Sequence, residues 1–313
     1  MSLVVFFLLP GVHLLDLAGP AQVFSTAAGY GLPYRIAYVG EQEQVQSAQG
    51  LPLTARTEWP DLGADDLVMV PGWRAPTLRG GPQPGPATLE RLRSHHAAGG
   101  TVASVCAGAE ALGLAGLLDG RRCTTHHEHQ DELATRHPRA IVVRDVLFTT
   151  DDRVVTSAGI ASGIDLALHL LAVRHGAASA AQVARNMVVY ARRNGHEPQA
   201  SAMLRHRSHL DDTVHRVQDL IDARFAEQLP LARLASSVGV SERTLTRLFH
   251  RAADGLTPLR YQQMLRLERA EHLISHGATV EGAAREVGFE DARMLRRLRQ
   301  RAPSARSGEA ALN

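Results

Sequence analysis

Two helix-turn-helix patterns follow one another in the last third of the chain, and they constrain the fold more than any other feature. In the first, at 231–250, an apolar helical stretch ends at Gly239, and a second helix starts after Ser241, a residue type suited to the N-cap. The same scheme returns at 279–301, with its turn at Gly288. One such unit presents a helix to the DNA major groove, and two in tandem can reach successive grooves on one face of the duplex. The pattern predicts an all-helical region that reads DNA.

Polar side chains on the second helix of each unit are the candidates for DNA contact. They are Arg243, Thr246 and Arg247 in the first unit and Arg293 and Arg297 in the second. A solvated helix face would explain any single arginine equally well. Two correctly spaced units favour the DNA-binding interpretation.

Charge is distributed unevenly along the 313 residues. Residues 1–200 carry a net charge of −2, whereas residues 201–313 carry +4, so the basic bias lies on the part with the helix-turn-helix patterns. The length exceeds what one hydrophobic core normally serves, so two domains are expected. We predict a first domain at 1–190, a linker at 191–212 and a DNA-binding domain at 213–307.

The first 175 residues alternate short apolar runs with helical stretches, which predicts an α/β fold with a mostly parallel sheet. The predicted strands are 3–9, 34–39, 66–70, 101–105, 141–143 and 154–156. The predicted helices are 19–28, 87–98, 107–115, 162–175 and 178–189. Residues 75–86 are predicted to form a loop, and residues 258–275 a long helix that joins the two helix-turn-helix units.

The cellular setting is inferred from what the sequence lacks. Cys106 and Cys123 provide no disulfide framework, which is typical of a reducing cytoplasm. The apolar run at 3–9 is too short for a signal peptide or a membrane span. We therefore expect a soluble, cytoplasmic protein with no membrane partner.

The segment 213–301 resembles the AraC-type DNA-binding domain. The matching motifs are Ala-x-x-x-Gly-x-Ser at 235–241, Thr257-Pro258, Arg266-Leu267 and Gly288-Phe289. The resemblance implies that Arg243, Thr246 and Arg247, and in the second unit Ala292, Arg293 and Arg297, stand where that family reads bases or phosphates.

Three departures from that family concern the second unit. Leu298 stands where an aromatic core residue is usual, and the closing motif at 302–306 has lost its Tyr and several preceding residues. Gly282 also weakens the first helix of the unit, since a mid-helix Gly costs about 1 kcal/mol relative to Ala. We expect the second unit to pack less well than the first and to contribute less to specificity.

The N-terminal region resembles the PfpI-like branch of the class I glutamine-amidotransferase-like superfamily. The motifs are Ser-Val-Cys-Ala-Gly-Ala at 104–109, Leu-Ala-Gly-Leu-Leu-Asp-Gly at 114–120 and Thr-Thr-His at 124–126. This resemblance implies a flavodoxin-like parallel sheet sandwich, joined here to an all-α domain of two tandem helix-turn-helix units. The two domains together look like the GlxA family of transcriptional regulators, over almost the whole chain.

A strand that ends in a cysteine and opens a helix with small residues is typical of a nucleophile elbow. Cys106 is that cysteine, and the following helix N-terminus would favour its thiolate. The resemblance implies that Asp16 approaches the sulfur and that Gly72 supplies a backbone N–H to an oxyanion site. His126 is the nearby candidate for a base.

Three roles for Cys106 stay open. Superfamily members that act as proteases carry His directly after the cysteine, but this chain has Ala107, so no Cys-His pair arises within the elbow. Asp16 could act as the acid or base instead, as in the isonitrile hydratases of the superfamily. The alternatives are a cysteine-dependent hydratase or amidase, a thiol redox sensor, and a pocket that binds an effector without turning it over.

We favour the binding pocket and expect no catalytic residue, no cofactor and no metal. His126, His127 and His129 lack the spacing of a zinc site. The sequence thus predicts a cytoplasmic transcriptional regulator whose partners are promoter DNA, a small-molecule effector and a second copy of the chain. RNA polymerase is a further candidate partner. The sequence does not predict the identity of the effector or the base sequence of the operator.

Overall fold

The structure is a computed structural model that describes residues 1–74, 76–189, 193–197, 199, 206–207, 209–275 and 277–301. The chain separates into two compact units, Met1–Gln199 and Ala200–Asn313. The closing motif at 302–306 lies outside the described residues. Each unit has its own hydrophobic core.

The first unit is an α/β sandwich built on a six-stranded sheet with the order β2-β1-β5-β6-β10-β9. Its strands are β1 Ser2–Leu8, β2 Tyr34–Gly40, β3 Gln44–Gln46, β4 Pro52–Thr54, β5 Leu67–Val70, β6 Thr101–Val105, β7 Arg122–Cys123, β8 Ile141–Val142, β9 Phe148–Asp151 and β10 Val154–Ser157. Its helices are α1 Leu14–Gly29, α2 Pro86–Ala97, α3 Ala109–Leu114, α4 Gln130–Arg136 and α5 Ser162–Asn186.

The sheet is parallel except for β9, which runs antiparallel to β10 at the edge. Six of the seven residues of β1 are buried, and so are all four of β5, because helices cover both faces of a parallel sheet. Buried strands of this kind read as continuous apolar runs, which is why the sequence revealed them. The predicted mostly parallel α/β fold is confirmed.

The structure corrects three details of the predicted elements. The strand predicted at 141–143 pairs with β7 in a separate two-stranded sheet and does not join the main sheet. β9 and the β3–β4 pair were not predicted. The helices predicted at 162–175 and 178–189 correspond to α5, which is interrupted at Gly176, where φ is +84°.

The second unit is all helical. Its helices are α6 Asp212–Ala223, α7 Leu231–Ser237, α8 Glu242–Ala252, α9 Pro258–Ser275, α10 Val280–Glu286 and α11 Ala292–Arg301. Helices α7 and α8 form the first helix-turn-helix, and α10 and α11 the second. Side chains cap five helices of this unit, since each accepts a backbone N–H: Asp211 before α6, Ser241 before α8, Thr257 before α9, Thr279 before α10 and Asp291 before α11.

The second helix-turn-helix packs better than the sequence predicted. It has an apolar core of its own, in which Leu295 is fully buried and Leu298 is 6% exposed. Leu298 therefore fills the position where an aromatic residue was expected. The Thr279 hydroxyl accepts the N–H of Gly282, so a cap stabilises the helix that this glycine weakens.

Of the described residues of the predicted linker, those up to 199 contact the first unit, and those from 206 onward contact the second. Arg193 binds Asp165 of α5 through its backbone N–H and its guanidinium, at 2.6–3.0 Å. Farther along, the carbonyl oxygen of His206 accepts from Gln218 of α6, and Arg207 pairs with Asp219 of the same helix. Among the described helices, none is long and apolar enough to cross a membrane.

Candidate functional site

Cys106 lies at a sharp turn where β6 gives way to helix. Its φ is +54°, an uncommon conformation for a residue with a side chain, and a short 3₁₀ turn, Cys106–Gly108, leads directly into α3. Such a conformation costs on the order of 1–3 kcal/mol and persists where the surroundings enforce it. The side chain is buried, with 6% of its surface exposed. The local geometry is that of a nucleophile elbow, as the sequence predicted.

Glycines enforce this turn, because there is no room for side chains around it. A Cβ atom at Gly159 would lie 2.6 Å from Cβ of Cys106 and 3.0 Å from its sulfur. A Cβ at Gly72 would lie 2.7 Å from the same Cβ, and one at Gly108 would lie 2.1 Å from the carbonyl oxygen of Val70. The small residues after the cysteine thus allow the helix to approach the end of β5.

Asp16 contributes a buried carboxyl group to the site. It lies on α1 with none of its surface exposed, and its Oδ2 accepts the backbone N–H of Gly72 at 3.2 Å. Within the part of the chain that is described, its Oδ1 has no hydrogen-bond partner. Burial raises the pKa of this carboxyl to about 7, against the opposing effect of the N–H groups of Gly72 and Ile160.

The thiol of Cys106 is neutral at physiological pH. Burial, and next the charge of Asp16, raise its pKa to about 12, and the backbone N–H of Ala107 opposes them without prevailing. Desolvation therefore outweighs the helix N-terminus that the sequence led us to expect as an activator of the thiolate. A neutral thiol can donate or accept a weak hydrogen bond but is a poor nucleophile.

His126 lies just before a 3₁₀ turn, His127–His129, and is partly buried. Its Nδ1 is 3.6 Å from Oε2 of Glu128, and its ring centroid is 4.2 Å from that of His127. Burial, and next the neighbouring imidazoles, lower the pKa of His126. Of the hydrogen bonds among the described residues, none joins His126 to Cys106, and the titratable group that acts most strongly on the sulfur is Asp16.

The N–H of Gly72, predicted to serve an oxyanion site, is engaged by Asp16 instead. A group of three or more side chains able to hold a metal ion does not occur among the residues that the structure describes.

Thr125 is a site residue whose role sequence reasoning missed. Its hydroxyl donates to the carbonyl oxygen of Cys106 at 2.7 Å, and its own carbonyl oxygen accepts from the side-chain amide of Gln199 at 2.9 Å. The same amide donates to the carbonyl oxygen of Val146 at 3.1 Å. Two hydrogen bonds thus join the backbone of Cys106 to the last described residue before the second unit.

In the first helix-turn-helix, α8 presents a basic face. Leu245 and Phe249 are buried and hold the helix in its core, whereas Arg243 and Arg247 are exposed on the other side. Neither arginine has an acidic partner within the described residues. Thr246 is partly exposed and donates to the carbonyl oxygen of Glu242 at 2.9 Å. The two guanidinium groups are therefore available to a polyanion.

In the second helix-turn-helix, most arginines of α11 are already paired. Arg293 lies 3.6 Å from Asp291, Arg296 pairs with Glu281, and Arg299 pairs with Glu271 at 2.7 Å. Arg297 is exposed and has no acidic partner in the described part of the chain. Of the two predicted contact residues here, Arg297 is the unpaired one.

Comparison with known proteins yields matches for both units. The family model described as DJ-1/PfpI family matches residues 2–173, and a helix-turn-helix domain model matches residues 234–302. The chain is similar to the HTH-type transcriptional regulator GbdR of Pseudomonas aeruginosa, 30% identical over 283 residues, which cover 86% of this chain and 72% of that protein.

Two further relatives match more than half of the chain. An isonitrile hydratase of Pseudomonas putida is 37% identical over 172 residues, covering 53% of this chain and 68% of the enzyme. The crystal structure of an AraC family transcriptional regulator from Pseudomonas putida aligns with a TM-score of 0.52 at 25% identity, over 60% of this chain and all of that chain.

Proposed function

The chain belongs to the DJ-1/PfpI family and is a DNA-binding transcriptional regulator of the AraC type, and we propose that a small molecule bound beside Cys106 alters how it engages promoter DNA. The observation that carries DNA reading is the exposed face of α8. There Arg243 and Arg247 stand unpaired, among the described residues, on a capped helix anchored by Leu245 and Phe249. Unpaired arginines on such a helix suit contacts to bases and phosphates.

The two helix-turn-helix units are proposed to contribute unequally to DNA binding. Arg243, Thr246 and Arg247 supply the main contacts of the first, and Arg293 and Arg297 those of the second. Because Arg293 lies near Asp291, its contact with DNA would require that ion pair to loosen. The first recognition helix therefore accounts for most of the specificity.

The region around Cys106 and Asp16 is proposed as a binding site for a polar small molecule. A buried carboxyl oxygen without a partner costs free energy, and a ligand N–H or O–H placed against Oδ1 of Asp16 would remove that cost. The neutral thiol of Cys106 adds a soft contact. In this proposal Gly72 shapes the wall, and His126 lies nearby.

Thr125 supplies a route from this site toward the DNA-binding unit. Its carbonyl oxygen accepts from Gln199 and its hydroxyl donates to Cys106, so a ligand that shifts the elbow would alter the hydrogen bond that holds Gln199. Ligand binding would then change the populations of existing arrangements. A second copy of the chain would bring two readers to one promoter and raise their apparent affinity through effective concentration. The same proposal includes RNA polymerase as a partner and the cytoplasm as the location of the protein.

Cysteine chemistry is the second candidate function, favoured by the similarity to isonitrile hydratase and by the Cys106–Asp16 pair. The effector-binding proposal rests on the neutral thiol and on the lack of a hydrogen bond from His126 to Cys106. The two differ in one outcome: turnover of an isonitrile by the purified chain, abolished in Cys106→Ser, would support the enzyme.

The DNA-reading proposal is tested by selecting duplexes from a random-sequence pool with the full chain and measuring affinity by fluorescence anisotropy. We expect Arg243→Ala and Arg247→Ala each to weaken binding to the selected duplex about tenfold, the loss of one good contact. Arg35→Ala, an exposed charge in the first unit, serves as the matched control. Unchanged affinity in both recognition-helix variants would contradict the placement of this helix on DNA.

A further inference from the structure

Arg266, on the connecting helix α9, binds backbone groups of the loop that leads into the first helix-turn-helix and of the turn in the second at once. Its Nε donates to the carbonyl oxygen of Phe225 at 2.6 Å and its Nη2 to that of Glu227 at 2.7 Å. Its Nη1 donates to the carbonyl oxygen of Gly288 at 2.8 Å, in the turn of the second unit. The guanidinium also lies 5.6 Å from the ring centroid of Phe289.

These contacts require the forked geometry of an arginine. Three nitrogens of one guanidinium reach three carbonyl oxygens in two different loops, whereas a lysine ammonium is a single point of donation. Arg266 has no carboxylate partner among the described residues, and burial lowers its pKa. A half-buried cation without a counter-ion is costly to desolvate, so its role lies in the carbonyl contacts that it makes.

The second helix-turn-helix meets the loop before α7 at the place where Arg266 binds. A Cβ atom at Gly288 would lie 1.9 Å from the carbonyl oxygen of Ala226, so the turn of the second unit touches the backbone that precedes α7. Beside it, Gln228 donates to Glu290 at 2.8 Å. The apolar cores on either side are separate clusters, and Phe225 packs partly against both. Polar contacts therefore act beside Phe225 and the continuous helix α9 in joining the two helix-turn-helix units.

We propose that Arg266 is a positioning residue that holds the two recognition helices, α8 and α11, at one fixed separation and so makes the protein selective for the spacing of two DNA segments. This inference rests on the proposed DNA-reading function. One inserted base pair moves the far segment by about 3.4 Å and turns it by about 34°, since a duplex turn spans about 10 base pairs. A rigid pair of helices cannot follow that change, and a loosened pair can.

The test uses the full chain and the duplex that the wild type selects from a random-sequence pool, with and without one base pair inserted between its two recognised segments. We expect the insertion to weaken wild-type binding about 30-fold, within the range for one lost set of base contacts. Arg266→Met should bind the original duplex about tenfold more weakly and lose less than about threefold on insertion. Arg266→Lys, which keeps the charge but not the fork, should behave in the same way.

Controls separate positioning from folding and from direct contact. Arg269→Met, one turn along α9 and without a hydrogen-bond or ion-pair partner among the described residues, should keep the wild-type penalty for insertion. Hydrogen exchange over 279–299 shows whether the second helix-turn-helix stays folded in each variant. If Arg266→Met unfolds it, the milder Arg266→Lys provides the test of positioning. A lower salt dependence in Arg266→Met, by about one phosphate contact, would assign Arg266 to DNA and overturn the proposal.

The outcomes distinguish this role from the function on which it rests. A wild-type chain that enriches no sequence contradicts the DNA-reading function and, with it, the role of Arg266. A chain that enriches a sequence but shows equal insertion penalties in wild type and in the Arg266 variants contradicts the role of Arg266 alone.

Discussion

A Cβ atom at Gly72 would lie 2.5 Å from Oδ2 of Asp16, so the carboxyl group rests directly against the backbone of the loop after β5. The N–H of Gly72 donates to that oxygen at 3.2 Å. Any larger residue at position 72 would displace Asp16 and the cysteine beside it. The contact explains how a fully buried acid is held next to Cys106.

The burial of Asp16 makes the stability of the first unit depend on pH. Its pKa is about 7 in the folded chain against an ordinary 3.8, so the folded state holds this proton more tightly. Its contribution is fully present below about pH 4 and is lost as the pH rises through 7, by about 4 kcal/mol in all. Asp16→Asn should remove this loss, so the variant gains stability relative to the wild type between pH 4 and 8.

Urea unfolding followed by tryptophan fluorescence checks this, because both tryptophans, Trp59 and Trp73, lie in the first unit. Asp61→Asn, an exposed carboxyl, is the control and should keep the wild-type pH profile. Parallel profiles for wild type and Asp16→Asn would show that Asp16 titrates normally.

Cys106 should react slowly with alkylating reagents. With a pKa of about 12, few molecules carry the thiolate at pH 8, so iodoacetamide should modify Cys106 at least about 100-fold more slowly than a free cysteine. Cys106→Ser, which leaves Cys123, provides the background rate. A rate equal to or above that of free cysteine would support the enzyme or the redox sensor over the binding pocket.

The two turn glycines of the helix-turn-helix units should differ in their tolerance of alanine. Gly239 and Gly288 both have positive φ, but a Cβ at Gly239 meets open space, whereas one at Gly288 meets Ala226. Gly239→Ala should cost about 1 kcal/mol from the backbone alone, and Gly288→Ala about 3 kcal/mol or more. Hydrogen exchange of the amides in α10 and α11 measures the second effect. Equal costs at the two positions would show that the contact with Ala226 relaxes freely.

Ion pairing within the protein should determine how much each arginine of the recognition helices contributes to DNA affinity. Arg247→Ala should weaken DNA binding about tenfold, whereas Arg296→Ala should weaken it about twofold or less, because Glu281 already pairs with Arg296. Anisotropy titrations at several salt concentrations provide both affinity and salt slope. A larger loss for Arg296→Ala would show that its ion pair opens on DNA.

The sequence predicted the elements that have a strong apolar period. β5 is a continuous apolar run, β1 is one after Ser2, and three of the five residues of β6 are apolar. Ser241 caps the first recognition helix, and both recognition helices follow glycine turns at the expected spacing. β9 escaped prediction because Phe148 is its only large apolar residue, and its place is set by pairing with β10. Local patterns cannot reveal such a pairing.

Buried polar groups escaped for the same reason. His95 and His96, polar residues in the last turn of α2, are both buried, and their rings contact the backbone oxygens of Asp66 and Asp152. Glu110 is fully buried against Arg136 and His137, far along the chain. The elbow at Cys106 was predictable from its small neighbours, whereas the link through Thr125 depends on a tertiary contact.

The central claim is that this chain reads DNA, whether or not Cys106 is intact. The most direct measurement is an anisotropy titration of the full chain, wild type and Cys106→Ser, against the selected duplex and a scrambled one at two salt concentrations. The account predicts salt-sensitive binding that favours the selected duplex by about 1,000-fold or more and survives the substitution. Equal affinity for both duplexes at every salt concentration, with a folded protein, would contradict it.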